Sequence, residues 1–160
     1  MTLPFNEMPA NSRIWIYQSD RKLNDSELDQ IKLKLTDFLK NWTAHGYNLK
    51  SSFQIRYDRF IIIALNEKSA KASGCSIDAC VHFIQQIEKD YNISLLDKMN
   101  VAFKQGEYVS YKSIVEFKSL IKNNSVSKNT IVFNNLVLDI GDYKNNWEVP
   151  ACKSWHSRFF

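Results

Sequence analysis

The segment at residues 52–67, SFQIRYDRFIIIALNE, constrains the fold more than any other part of the sequence. It is rich in β-branched and aromatic residues, which favour β-strands. Its apolar run at residues 60–65 is far too short to cross a lipid bilayer, so we expect no membrane partner. The alternation of apolar side chains changes phase near Asp58 and Arg59. This predicts either a hairpin that turns there or one long strand with a bulge.

A strand and a helix are predicted before this segment. Residues 13–18, RIWIYQ, place isoleucines on one side and aromatic residues on the other, as in a strand covered on both faces. Asn24, with Glu27 three positions later, resembles a capping box, and apolar residues then recur at helical spacing. We expect this first helix to end at Gly46, which can adopt the left-handed conformation of a C-terminal cap.

Further elements follow the segment. Apolar spacing predicts a second helix at residues 76–90, and Ser113 with Glu116 forms a second capping box that opens a third helix. Strands are predicted at residues 99–103 and 107–111, with one or two more within residues 130–140. The aromatic and basic C-terminal segment lacks the composition of a disordered tail, so we expect it to pack.

This order of elements predicts an α+β fold with a mostly antiparallel sheet and about three helices. Its first half is expected to be a ferredoxin-like βαββαβ unit, followed by a βαβ extension and the docked C-terminal tail. A parallel α/β sheet would require strict alternation of strands and helices, which a hairpin breaks. With 160 residues, 44% of them hydrophobic, the chain is expected to form a single domain over residues 1–160.

Cysteine usage and charge bear on location and partners. The three cysteines are an odd number and no secretory signal is recognisable, which predicts a reducing, cytoplasmic setting. Cys80 lies on the apolar stripe of the second helix and is expected in the core, and Cys152 is expected to be buried by the tail. The formal net charge of +4 is spread along the chain and permits an anionic partner.

The sequence SGCSID at residues 73–78 is the candidate functional site. A helix that begins near Ser76 would present unpaired backbone N–H groups of Gly74, Cys75 and Ser76, and the positive end of the helix dipole would attract an anion. The same field favours the thiolate of Cys75 as a nucleophile. The competing interpretation is that these small residues only cap and pack the helix.

A nucleophilic thiol needs a histidine to move protons. His82 lies off the apolar stripe and is expected in solvent, whereas His45 is expected at the end of the first helix. His156 lies in the aromatic tail. We therefore predict Cys75 and His156 as catalytic residues, with the ligand bound by a set drawn from the helix start, the tail and the first helix: Ser73, Gly74, Ser76, Arg158 and His45.

Several other site classes are excluded by spacing. There is no Gly-Lys-Ser or Gly-Lys-Thr phosphate loop and no Gly-x-Gly-x-x-Gly motif, so we expect no nucleotide cofactor. Cys75 and Cys80 would point about 140° apart on a helix, and no histidine joins them at zinc spacing, so we expect no metal. The strand DRFIIIAL lacks the glycine and exposed aromatics of RNA-recognition domains, which argues against nucleic acid as a partner.

Five stretches carry a resemblance that covers nearly the whole chain: SRIWIYQSDR, NWTAHG, ASGCSID, TIVFNNLV and WEVPACKSWHSRF. Together they resemble an uncharacterised bacterial family of about this length, whose members are often labelled ABC transporter ATPases. That label implies Walker motifs, which this sequence lacks. The resemblance therefore implies no ATPase activity and supplies no other.

Three functions remain open at this point. The first is a small-molecule site that binds an anionic ligand or uses the Cys75 thiol, at the helix start Gly74-Cys75-Ser76. The second is a non-catalytic interaction module that binds a protein partner or forms a homo-oligomer through its aromatic tail and a sheet edge. The third, least favoured, is nucleic-acid binding through a basic face.

Overall fold

The computed structural model describes residues 2–160 and has an α+β architecture, as predicted. Every strand pairing between its strands is antiparallel. Within the described residues there are four helices, where about three were expected. The chain divides into two compact units: unit 1 contains the chain up to Leu96 together with Leu138–Ile140, and unit 2 contains Asp97–Val137 and Gly141–Phe160. The single domain stays a prediction.

Unit 1 contains a three-stranded sheet, two helices and a very short hairpin. Its elements in chain order are β1 (Arg13–Gln18), α1 (Asp25–Lys40), β2 (Thr43–Ala44), β3 (Tyr47–Asn48), β4 (Lys50–Arg56), β5 (Phe60–Asn66) and α2 (Gly74–Tyr91). The sheet order is β1-β5-β4, so the most apolar strand lies in the centre. The strand β5 is almost entirely apolar because it pairs with a strand at each edge and is buried on both faces.

The hairpin interpretation of residues 52–67 is confirmed. Strands β4 and β5 pair with Arg56 opposite Phe60. Tyr57 and Asp58 have φ values of 53° and 52°, and the Arg59 N–H donates to the Arg56 carbonyl. Two central residues with positive φ match the right-handed twist of the flanking strands, which is why the chain turns here without a glycine.

The core of unit 1 lies between one face of the sheet and the two helices. From β5 it takes Ile61, Ile63 and Leu65, which share one face of the strand. Helix α1 contributes one apolar stripe, formed by Leu28, Ile31, Leu35 and Leu39. Helix α2 contributes a second, formed by Cys80, Ile84 and Ile87. Both helical stripes follow the spacing that the sequence predicted.

Helix α1 begins as predicted and ends earlier. Asn24 accepts the Glu27 N–H at 2.8 Å, while the Glu27 carboxylate accepts the Asn24 N–H at 3.0 Å. The expected continuation to Gly46 is wrong, because the helix stops at Lys40 and the chain then forms the β2–β3 hairpin. His45 and Gly46 form its turn, both with positive φ. The glycine signal was therefore that of a hairpin turn rather than of a helix cap.

Unit 2 contains a four-stranded sheet, two helices and a packed tail. Its elements are β6 (Asn100–Gln105), β7 (Tyr108–Ser113), α3 (Ile114–Lys122), β8 (Ile131–Phe133), α4 (Ile140–Asn146), whose first residue belongs to unit 1, and β9 (Glu148–Pro150). The sheet order is β7-β6-β8-β9. The capping box of Ser113 and Glu116 opens α3 as predicted.

The C-terminal tail packs, as expected. It forms two 3-10 turns, Ala151–Lys153 and Trp155–Phe159. Ala151 is buried in a cluster with Phe103 and Phe117, and Trp155 and Phe159 pack against that cluster. Phe117 is the centre of this arrangement, because its ring lies 5.3 Å from that of Phe103 and 6.2 Å from that of Phe159. The tail is part of the core of unit 2.

The ferredoxin-like first half is only partly correct. The order β1-β5-β4 is that of the first three strands of such a fold, but β6 pairs with β7 and β8 instead of with β1. Leu138–Ile140 runs along the free edge of β1: the Ile14 N–H donates to the Leu138 carbonyl, and the Ile140 N–H donates to the Ser12 carbonyl. A later segment thus takes the place expected of the fourth strand.

The chain forms a loop between α2 and β6. Asn92 ends α2 in the left-handed conformation, with φ 51°. The Glu88 carboxylate then accepts the N–H groups of Leu95 and Leu96, and Asp20 accepts that of Ser94. Residues 93–96 are therefore held as a loop within unit 1. None of the helices in residues 2–160 has the length and apolar character that spanning a membrane requires.

Candidate functional site

A cleft of about 590 Å³ opens at the start of α2, entirely within unit 1. Its walls come from the end of α1, the β2–β3 hairpin and the first two turns of α2. The lining residues are Asp37, Phe38, Asn41, Trp42, Thr43, His45, Ser73, Cys75, Ser76 and Ala79. Four of these were predicted as site residues, namely Ser73, Cys75, Ser76 and His45.

The start of α2 is fixed by a reciprocal pair of serines. Ser73 is the N-terminal cap, and its hydroxyl oxygen accepts the Ser76 N–H at 3.1 Å. The Ser76 hydroxyl oxygen accepts the Ser73 N–H at 2.7 Å. The expectation that the Ser76 N–H is unpaired is therefore wrong. The first-turn amides of Gly74 and Cys75 lack intrahelical acceptors by position, because they precede the first i to i−4 bond.

The electrostatic setting of α2 differs from that of α1 and α3. The first turns of those two helices contain acidic residues, Asp25 and Glu27 in α1 and Glu116 in α3, whereas the first turn of α2 contains none. Carboxylates in a first turn offset the positive end of the helix dipole. At α2 this positive end is left uncompensated by its own first turn.

Cys75 and Gly74 are both exposed at this helix start. A Cβ atom added at Gly74 would meet no described atom within 4 Å, so the glycine is not required for close packing. Gly74 itself is not among the lining residues of the cleft. The space in front of the first turn is open, and the Cys75 thiol lies at its border.

His45 reaches the cleft from a hairpin turn rather than from a helix end, which corrects the sequence interpretation. Its φ of 52° places it in the left-handed region, and the following Gly46 has φ 81°. Its side chain is exposed. Because His45 lies in this turn, its imidazole and the Cys75 thiol line the same cleft, although the two residues are 30 positions apart in the sequence.

An aromatic group forms the apolar part of the cleft. The Trp42 indole N–H donates to the Ser76 carbonyl at 2.8 Å, which ties the end of α1 to the start of α2. The Phe38 ring lies 5.7 Å from that of Trp42 and stacks on Phe83 at 4.5 Å. Because these rings contact one another on several sides, they form a fixed apolar surface for any bound molecule.

Asp37 and Asn41 are two of the three polar lining residues that were not predicted from the sequence, the third being Thr43. Both are exposed, and the Asn41 side-chain amide donates to the Asp37 carbonyl at 3.0 Å. Asp37 lies in the last turn of α1, off its apolar stripe, and Asn41 is the C-cap of that helix. Their only signal in the sequence was a polar side chain off the apolar stripe, and many other polar residues of α1 share it.

The structure places the remaining predicted site residues, His156 and Arg158, in unit 2, and neither lines the cleft. His156 is 1% exposed, and its Nδ1 lies 2.7 Å from the Ser154 hydroxyl oxygen. Its ring stacks on Trp155 at 3.9 Å. Burial, together with the nearby Arg158 charge, lowers the pKa of His156 to about 4. These are the surroundings of a neutral core histidine.

The other two cysteines differ from each other. Cys80 is buried, as predicted, with its sulfur 3.7 Å from the Tyr17 hydroxyl, and burial raises its pKa to about 11. Cys152 is exposed, so its predicted burial is wrong. The tail packs through its aromatic residues, and the side chain of Cys152 is left outside.

Comparisons of this chain with protein-family models, with curated proteins and with solved structures find no match.

Proposed function

We propose that unit 1 binds a small organic anion in the cleft at the start of α2. The observation that carries this proposal is the convergence of the α2 start, whose first turn has no acidic residue, with His45 and Cys75 on one cleft of about 590 Å³. A cleft of this size is in the range of ligand pockets. The negative group of the ligand would accept hydrogen bonds from the amides of the first turn, as anions do at helix starts.

The lining residues also restrict the rest of the ligand. Phe38, Trp42 and Ala79 supply an apolar wall, which favours a ligand with an apolar body. Asp37 adds a carboxylate, and among residues 2–160 no lysine or arginine lines the cleft, so the ligand carries a hydrogen-bond donor as well as its negative group. A small carboxylate with an apolar body and a hydroxyl or amino group has this combination.

The thiol-dependent form of this proposal uses His45 as the proton acceptor for Cys75. His45 lines the same cleft, whereas His156 lies in the core of unit 2. Binding alone needs no such step.

Alkylation of Cys75 tests the anion preference directly. In the Cys152→Ser variant, Cys75 is the exposed thiol that remains, because Cys80 is buried. The measured quantity is the ratio of the rates with iodoacetate and with iodoacetamide, in which the thiolate fraction cancels. We expect this ratio to be about two- to fivefold higher than in a blocked peptide of residues 73–77, given the usual strength of the dipole effect.

Two variants sharpen that measurement. His45→Asn is expected to lower the ratio while keeping the turn, since asparagine tolerates positive φ. Asp37→Asn is expected to raise it, because it removes a carboxylate from the lining. A ratio equal to that of the peptide, unchanged in both variants, would contradict the anion site.

Self-association through the edge of β7 is the second candidate. Strand β7 ends its sheet, pairing with β6 on one side, and Tyr108 on it is 79% exposed. Exposed strand edges pair readily with other chains. The tail contributes little to this candidate, since Trp155 and Phe159 pack within unit 2.

Light scattering over a wide concentration range tests self-association. We expect the molar mass to rise with concentration in the wild type, and Tyr108→Glu to abolish that rise by adding a charge at the edge. A mass equal to that of one chain at every concentration would remove this candidate.

A further inference from the structure

The net positive charge of the protein is confined to unit 2. Unit 1 contains twelve lysines and arginines and twelve aspartates and glutamates, whereas unit 2 contains nine basic residues and five acidic ones. Along the sequence the basic residues look evenly spread, and the imbalance becomes visible only when the chain is divided by its fold. An excess of four positive charges on 61 residues favours an anionic partner for this unit.

Four of these cations lie on the C-terminal tail or against it. Lys153 and Arg158 belong to the tail. The Lys118 ammonium lies 5.3 Å from the Phe159 ring, and the Lys128 carbonyl accepts the Cys152 N–H at 2.9 Å. All four side chains are exposed. We call these four residues, with Trp155 and Phe160, the tail patch.

The cations of the tail patch are not neutralised by carboxylates. None of the ion pairs described for residues 2–160 includes any of the four. The acidic residues of unit 2 are largely engaged elsewhere: Glu148 pairs with Lys104, Glu116 caps α3, and Asp142 accepts from Asn146. The patch is therefore available to bind an external anion.

Aromatic rings lie among these cations. The Arg158 guanidinium carbon is 5.4 Å from the Trp155 ring, and Phe160 is 45% exposed. Cations that contact phosphates, beside aromatic faces on which bases stack, are typical of sites for single-stranded nucleic acid. A membrane surface is a less suitable partner, because binding to it requires a helix with a continuous exposed apolar face. In the tail, Ala151 and His156 are buried instead.

We propose that the tail patch of unit 2 binds single-stranded nucleic acid without sequence preference. The phosphates contact Lys118, Lys128, Lys153 and Arg158, and a base stacks on the exposed ring of Phe160. This surface is separate from the central strand whose sequence argued against RNA recognition, so that argument does not apply to it.

Fluorescence anisotropy of a labelled oligothymidylate of about 12 nucleotides tests the proposal with the full-length protein. We expect binding that weakens with salt, with a slope of log K against log salt of about −3 for four phosphate contacts. The variant Lys118→Gln, Lys128→Gln, Lys153→Gln is expected to reduce that slope by about 2. The matched control Lys32→Gln, Lys68→Gln, Lys89→Gln removes the same charge from exposed positions of unit 1 and is expected to leave the slope unchanged.

Three results would overturn the proposal. The first is no binding by the wild type at about 50 mM salt. The second is an equal loss in both triple variants, with circular dichroism showing both folded, which would reduce the effect to net charge. The third is displacement of the labelled oligonucleotide by an inorganic polyphosphate of matched charge, or by anionic vesicles, to the same extent as by unlabelled oligonucleotide. That result would show that the bases have no role in binding.

Discussion

His156 shows how strongly a single buried residue can make the stability of a fold depend on pH. Its ring contacts Trp155 and lies 6.3 Å from the Phe117 ring, and its pKa is lowered from 6.5 to about 4. Between these two values the unfolded chain binds a proton at this position and the folded chain does not. The folded state therefore loses stability as the pH falls through that interval.

This loss can be measured by urea unfolding between about pH 7 and pH 4. For the wild type we expect the free energy of unfolding to decrease by up to about 3 kcal/mol from this histidine alone. His156→Gln, which retains an acceptor for Ser154, is expected to be less stable at neutral pH and to have a flatter profile between pH 6.5 and 4. Parallel profiles would show that the pKa of His156 is the same in the folded and unfolded states.

At the same scale, Cys75 and His45 show what the sequence could reveal about the site. The SGCS stretch pointed to the helix start because small and hydroxyl residues cap helices, a local effect. The histidine partner could not be identified, because the meeting of residues 45 and 75 depends on a hairpin and on the packing of Trp42 under Ser76. Asp37 and Asn41 join the cleft for the same non-local reason.

Among the elements, the helices α1 and α3 were the most predictable, because each begins with a capping box of the usual type. Such a box is a pair of residues three positions apart, so the signal is fully contained in the sequence. For α1 the box is extended by Arg21, whose guanidinium donates to both Glu27 carboxylate oxygens, and that pairing lowers the pKa of Glu27 to about 2. The α2 box of Ser73 and Ser76 is atypical, because serine replaces the usual Glu or Gln, and it escaped the sequence reasoning.

Removal of one cap tests the contribution of such a box. Asn24→Ala is expected to lower the free energy of unfolding by about 1 kcal/mol, since it leaves the Glu27 N–H without its acceptor. Lys32→Ala, on the exposed face of the same helix, serves as the control and should change stability by less than about 0.5 kcal/mol. The measurement is urea unfolding followed by circular dichroism. Equal effects of the two substitutions would mean that the cap adds nothing beyond helix propensity.

The α+β class of the whole molecule followed from the alternation of strand and helix patterns. The partition of strands between two sheets did not, because a strand's sequence shows that it is buried but not which partner it pairs with. β6 illustrates this limit: its Val101, Ala102 and Phe103 are buried as an inner strand predicts, yet it belongs to the second sheet. The uneven charge of the two units was hidden for the same reason.

The pairing of Leu138–Ile140 with β1 makes the two units interleaved along the polypeptide. Neither unit corresponds to one uninterrupted stretch of the gene product, so no single expression boundary yields a complete copy of the first. A fragment that stops at Leu96 would leave a bare backbone edge on β1, where amide and carbonyl groups invite fibrillar contacts.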